Sequence, residues 1–250
     1  MEFRLARKRD VWVVLGLVII VSLYAMQGRI YLWSKIKFDY GQDKSSAYYA
    51  VLEDRGRIEC SDPSHQGFEI TAEAFSFLSP FPVKEKSESG MISGYLFEGK
   101  SLVSVCEYLN NFQNDKGLRD LRNMMYGDEP VSLYEFNRRV LQVTPDQISF
   151  FDSMDEIRRE FLQLMLKPSR AGERQCTAFT ENLNIIQSGF PTPNPPDIGA
   201  AFGPVRCLVF GNNDKSYEIS FIGLDQEAID CILTSFEILE RPLVSEDAGP

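Results

Sequence analysis

The 250-residue chain contains a single histidine, His65, and that one count narrows its chemistry. Metal sites built from several imidazoles are excluded, and a Ser-His-Asp arrangement would have to run through this residue alone. His65 lies in Asp62-Pro63-Ser64-His65-Gln66-Gly67, a run of turn-forming residues where a solvated imidazole is the simpler account. Five cysteines, Cys60, Cys106, Cys176, Cys207 and Cys231, are widely spaced without a C-x-x-C pair, so neither a zinc site nor a thioredoxin-like couple is indicated. They read as small buried hydrophobes or, outside the cytoplasm, as at most two disulfides with one thiol left over. Carboxylates cluster at Asp152, Asp155 and Glu156 and again at Asp225, Glu227 and Asp230. Such groups can serve acid–base hydrolysis or hold a hard cation. Both clusters fall in the first turns expected of helices, where the macrodipole favours negative charge, and capping accounts for them. No G-x-G-x-x-G, Walker loop, H-E-x-x-H or G-x-S-x-G occurs, and the glycines of Gly90-Met91-Ile92-Ser93-Gly94 carry no meaning alone. The sequence therefore nominates no catalytic, cofactor-binding or metal-ligating residue, and no cofactor.

The elements that would position these groups are partly legible. From Phe68, alternation of Phe68, Ile70, Ala72 and Ala74 with Glu69, Thr71 and Glu73 predicts a half-buried strand that Pro80 and Pro82 stop. Met91 to Phe97 and Leu102 to Leu109, joined by Glu98-Gly99-Lys100-Ser101, predict a hairpin. Ser132 with Glu135, Thr144 with Gln147 and Ser153 with Glu156 have capping-box spacing and predict three helix starts. Thr177 to Gln187 reads as a strand, and Phe190 to Pro196 as a rigid proline-rich loop or a segment offered to a partner. Val205 to Ile222 is the clearest hairpin, turning at Gly211-Asn212-Asn213-Asp214-Lys215. Asp225 then caps a helix whose stripe is Ile229, Ile232, Leu233 and Phe236. Cys231 lies about 160–200° from that stripe, so it is expected to be partly exposed.

Val11 to Met26 contains no charge and would span about 24 Å as a helix, against a hydrocarbon core of about 30 Å. Trp12, Tyr24, Tyr31 and Trp33 suit the interfaces, and the cations at Arg4, Arg7, Lys8 and Arg9 favour an N-terminus inside. A cleaved signal peptide would need a small-residue cleavage site, which Leu23 and Met26 do not provide. A core helix apolar on every face beside four cations is not expected. The stretch is thus read as a transmembrane signal-anchor of a single-pass protein, with membrane contact through residues 11–28. Its domain would lie outside the cytoplasm, facing the periplasm from a bacterial inner membrane. Up to Arg29 there are five basic and two acidic residues, leaving 21 basic and 34 acidic beyond it. That acidic body argues against nucleic acid as a partner.

The C-terminal hairpin, the helix Glu227-Ala228-Ile229-Asp230-Cys231-Ile232-Leu233 and the ending Thr234-Ser235-Phe236-Glu237-Ile238-Leu239 resemble the Mog1/PsbP-like family, as does Phe75-Ser76-Phe77-Leu78-Ser79-Pro80. The resemblance covers about half of residues 68–239 and implies an α/β/α sandwich around an antiparallel sheet, in a family that mostly binds partners or serves assembly. The expected organisation is an α+β chain: residues 1–33 a cytoplasmic N-terminus and transmembrane helix, 34–67 a stalk, 68–241 the domain, and 242–250 a disordered acidic tail. The expected function is a membrane-tethered binding or assembly module contacting another envelope protein. The alternative is a tethered enzyme, such as a carboxylate-dependent hydrolase.

Overall fold

A computed structural model describes residues 26–62, 64, 67–98, 101–108, 112, 114–167, 174–191, 204–211 and 215–239. The chain divides into two compact units. Met1–Tyr49 with Val143–Ser169 form one, and Ala50–Gln142 with Arg170–Pro250 form the other.

The second unit is built on a mixed sheet of eight strands. They are β1 (Leu52–Arg57), β4 (Val83–Ser89), β5 (Ile92–Phe97), β6 (Leu102–Glu107), β7 (Gln175–Phe179), β8 (Leu183–Ser188), β9 (Val205–Gly211) and β10 (Ser216–Ile222). Their spatial order is β1-β7-β8-β9-β10-β6-β5-β4. A smaller sheet pairs β2 (Phe68–Thr71), β3 (Phe75–Ser79) and β11 (Glu237–Ile238), with β3 central. Among the described strands only β1 breaks the antiparallel pattern, running parallel to β7. This corrects the expected α/β/α sandwich around an antiparallel sheet. Parallel neighbours need a long crossover, and here the whole stretch between β1 and β7 supplies it, so no local turn signal could announce the pair.

One face of the large sheet carries Val103, Val105, Ile185, Cys207, Val209, Ile219 and Phe221, all buried. Helix α5 (Gln226–Ser235) lays Ile229, Ile232 and Leu233 into this cluster, and Phe75, Phe77, Tyr95 and Phe236 complete it. Phe236 is 2 % exposed and stacks on Phe75 with ring centroids 5.5 Å apart. The opposite face is covered at β8 and β9, where Ile186 and Phe210 pack with Leu133 and Leu141 of helix α3 (Leu133–Gln142). Helix α2 (Lys116–Tyr126) starts on an Asp115 cap and ends at Gly127, whose φ of 57° suits glycine.

Several expectations hold and others are corrected. Ser132 caps α3, receiving the Glu135 amide at 3.2 Å. The hairpins β5–β6 and β9–β10 form as expected. The strand expected over Thr177 to Gln187 is two strands, because Thr180 folds the chain back: its amide donates to the Leu183 carbonyl at 2.9 Å. The strand expected from Phe68 likewise turns after Thr71 and returns as β3. Strand β4, VKEKSES, is exposed throughout and was invisible to hydrophobic patterning. Its charges sit on a sheet edge, where they disfavour pairing with another chain.

In the first unit, helix α1 is described over residues 26–35 and continues as one π turn, Ile36–Tyr40. Helix α4 (Met154–Leu166) begins with a complete Ser153–Glu156 capping box. Ile36, Val143, Ile148, Ile157 and Leu164 form the core, with Leu32, Tyr40, Tyr48 and Phe161 around it. No helix starts at Thr144. The Gln147 side chain does accept the Thr144 amide at 2.9 Å, but residues 145–147 make a single turn. Burial of Pro145 and Ile148 on either side holds that turn in place.

The transmembrane reading is corrected here. Among the described residues no helix is long and apolar enough to cross a membrane. Residues 11–25 of the apolar stretch lie outside the described residues. From Met26 the described helix carries Arg29, Lys35 and Lys37 and turns Ile36, 0 % exposed, into a protein core. It is an amphipathic helix packed on protein. The signal-anchor and single-pass readings are withdrawn, and with them the periplasm-facing inner-membrane localisation.

Candidate functional site

The densest gathering of chemistry-bearing side chains lies beneath α5, in the second unit. Asp225 caps this helix by accepting the Ala228 amide at 2.8 Å. One turn apart on the helix, Gln226 and Asp230 face β1 and β8. Arg55 of β1 reaches between them, donating through Nη1 to Gln187 Oε1 at 3.0 Å and Asp230 Oδ1 at 3.1 Å, and through Nη2 to Asp230 Oδ2. Gln187, 0 % exposed, pairs reciprocally with the Gln226 amide at 2.8 and 3.1 Å and also donates to the Gly189 carbonyl at 3.0 Å. Gln226 closes the ring by donating to Asp230 Oδ1 at 2.9 Å. Burial opposes the charge of Arg55, but the Asp230 carboxylate outweighs it and raises the guanidinium pKa.

Two thiols flank Gln187 in the same cross-strand row, Cys176 on β7 and Cys207 on β9. Two strand spacings, about 10 Å, separate them, too far for a disulfide. Burial pushes the Cys176 thiol up to about 11, with the neighbouring Arg55 pulling the other way. Burial also holds Cys207 well above its usual value. Neither is a nucleophile near neutrality. The cluster is an internally satisfied polar clamp that fastens β1 and α5 to the sheet.

On the outer side of α5 the chain crosses a second time. After β1, Cys60 forms a disulfide with Cys231, and the Ser61 hydroxyl donates to Glu227 Oε1. Cys231 is therefore 0 % exposed, correcting the expectation of partial exposure: the helix face away from the core is covered by this strap. Of the other cysteines, Cys106 is half-buried and Cys176 and Cys207 are buried, all three as thiols.

The carboxylates of Asp152, Asp155 and Glu156 do not converge. Asp152 accepts the Ser149 amide at 2.7 Å and Asp155 pairs loosely with Arg158 at 3.7 Å. Bonds from the Ser153 hydroxyl and amide hold Glu156 below the usual glutamate value. Asp225, Glu227 and Asp230 are committed to a helix cap, the strap and Arg55. Among the described residues no group of three or more histidine, cysteine or acidic side chains could hold a metal. His65 and residues 192–196 of the proline-rich loop lie outside the described residues. Of that loop, Phe190 is seen with the Arg174 guanidinium 4.7 Å above its ring.

In the first unit a lysine is buried. Lys167, 4 % exposed, directs its ammonium at the carbonyls of Val143 (2.8 Å) and Tyr48 (3.1 Å). Burial lowers its pKa to about 8. Lys37 likewise donates to the Pro145 carbonyl, so two lysines tie the segment entering α4 to its surroundings.

Sequence reasoning missed Arg55, Gln187, Gln226 and Lys167. Arg55 sits in a stretch read as a stalk, and Gln187 at the end of an apolar run. Nothing in their local patterns sets them apart from surface residues. No protein-family model, curated protein or solved structure matches the chain, and the Mog1/PsbP-like resemblance rests on its own short motifs alone.

Proposed function

We propose that the protein is a binding or assembly module that docks a protein partner on the part of its large sheet, at β10, β6 and β5, that the described residues leave accessible. The observation that carries this reading is an accessible patch across β10, β6 and β5. Cross-strand partners there form three rows: Ile222, Leu102 and Leu96; Ser220, Ser104 and Gly94; and Glu218, Cys106 and Ile92. Ile222 and Ile92 are exposed, and the others are partly so. A smooth row of serines and glycine between two apolar-bearing rows suits the flat, mixed character of a protein interface. The carboxylates that an enzyme reading would use are engaged in caps and ion pairs, so the binding reading asks less of the molecule.

A photo-crosslinking residue at Ser104 of the full chain, in its native cell, tests this. A discrete adduct is expected from that position, absent when the crosslinker is placed at Glu69 on the small sheet and abolished by Ser220→Arg in a variant of unchanged melting temperature. No adduct from Ser104, or one indifferent to Ser220→Arg, would overturn the proposal.

A further inference from the structure

We infer that the accessible patch on β10, β6 and β5 is self-complementary and that its partner is a second copy of this chain, bound face to face. The inference rests on the docking reading above and names the partner. The rows across the patch continue on both sides. In the middle row Ser220 is followed on β9 by Arg206, and Gly94 on β4 by Ser87. Glu85 pairs with Leu96 and so extends the apolar row onto β4. Arg206 and Glu85 are both exposed, and neither makes an ion pair among the described residues. One side of the patch thus ends in a cation and the other in a carboxylate, four strand spacings or about 19 Å apart.

A twofold axis running along β6 uses this arrangement, because it exchanges the β10 and β5 sides of the patch. In the apolar row Leu102 then meets its own counterpart, and Ile222 meets Leu96 of the second copy. In the middle row Ser104 meets Ser104 and Ser220 meets Gly94. These small groups let the two sheets approach to the roughly 10 Å of face-to-face packing. Arg206 comes opposite Ser87 of the second copy, with Glu85 about 7 Å along that strand, within reach of a long guanidinium side chain. Symmetry makes two such pairs. The third row is the exception, since it sets Glu218 against Ile92, but Glu218 is only partly buried and keeps water at the rim. An axis across the strands is disfavoured: it would set Arg206 against Arg206 and Ile222 against Glu218. Between backbone positions the matched face measures about 19 by 14 Å, which is small for a permanent dimer and fits one that forms as concentration rises.

The test uses the full chain, purified and alone. Sedimentation velocity from roughly 5 to 500 µM should show monomer giving way to dimer across that range. Arg206→Glu and Glu85→Arg, each with an unchanged melting temperature, should weaken association roughly tenfold, since each reversal sets like charges together at two places. The double variant should recover the wild-type association, because the exchange restores both pairs. The Ser104 photo-crosslinker in the purified chain should give an adduct of twice the chain mass. Monomer at every concentration, a dimer indifferent to both reversals, or a double variant no better than the singles would each overturn the inference. If the purified chain stays monomeric while Ser104 captures a different protein in cells, the second copy is ruled out and the docking reading stands. If Ser104 gives no adduct in either setting, both fall.

Discussion

At 4 % exposure the Lys167 ammonium is held by carbonyl dipoles and not by bulk water, and its lowered pKa has a consequence for stability. The unfolded lysine titrates near 10.5 and the folded one near 8. Between these values the unfolded chain binds more protons, so stability rises with pH through that window. Below about pH 8 the lysine is charged in both states and the full cost of burying the charge is present; above about 10.5 that cost is gone. The expected gain is up to about 3 kcal/mol. Urea melts at intervals from pH 7 to 10.5 should show it as a difference between wild type and Lys167→Met, and a slope that survives the substitution would place its origin elsewhere. Gly41 is a second residue set by its surroundings. A Cβ there would stand 2.6 Å from the Lys37 carbonyl oxygen, closer than packing allows, because the π turn closes tightly on it. Gly41→Ala should cost about 1–3 kcal/mol by thermal unfolding.

Among the elements, α4 and the turn at Thr144 separate a capping pattern that makes a helix from one that does not. Ser153 receives the Glu156 amide and Glu156 returns the bond, at the start of a 13-residue helix. Ser153→Ala should therefore cost about 0.5–2 kcal/mol. Thr144→Ala should change the denaturation midpoint little, since the Gln147 bond goes to the Thr144 backbone amide and not to its hydroxyl. Comparable losses from both substitutions would contradict this assignment. For α5 and β11 the critical residue is Phe236, which touches Phe75, Phe77 and Tyr217. Phe236→Ala should lose about 3–5 kcal/mol through the cavity it leaves.

Across the second unit as a whole, β1 is the strand most in need of an anchor. It has a single neighbour in the sheet, pairs with it in parallel, and its register shifts between Asp54 and Arg57. Arg55 supplies the anchor by crossing to Asp230, with both side chains largely shielded at 22 % and 15 % exposure. Removing one partner leaves a shielded charge without its counter-ion, so Asp230→Asn should cost about 3 kcal/mol in a denaturant melt. Arg55→Met with Asp230→Leu should be less harmful than the single change, because it removes both charges together. A double variant as damaged as the sum of its parts would mean that the two charges act independently, with no coupling between them to anchor β1.

The sequence by itself determined the parts of this protein whose signals are local. The β9–β10 hairpin, α5 with its Asp225 cap, the Ser153 box and the burial of Phe236 all follow from period and turn chemistry within a few residues. Only the tertiary structure decided the rest, for identifiable reasons. A run such as VKEKSES becomes a strand because β5 offers it a partner, not because of its own pattern. The apolar stretch ahead of Met26 suggested a membrane anchor, whereas the described continuation of that helix is amphipathic and its buried face meets α4. Cys231 points away from the core by helical geometry and is nevertheless buried, because a residue 171 positions earlier is bonded to it. Periodicity tells which way a side chain points on its own element. Whether solvent or another segment waits there depends on contacts between residues far apart in the chain, and those no local pattern records.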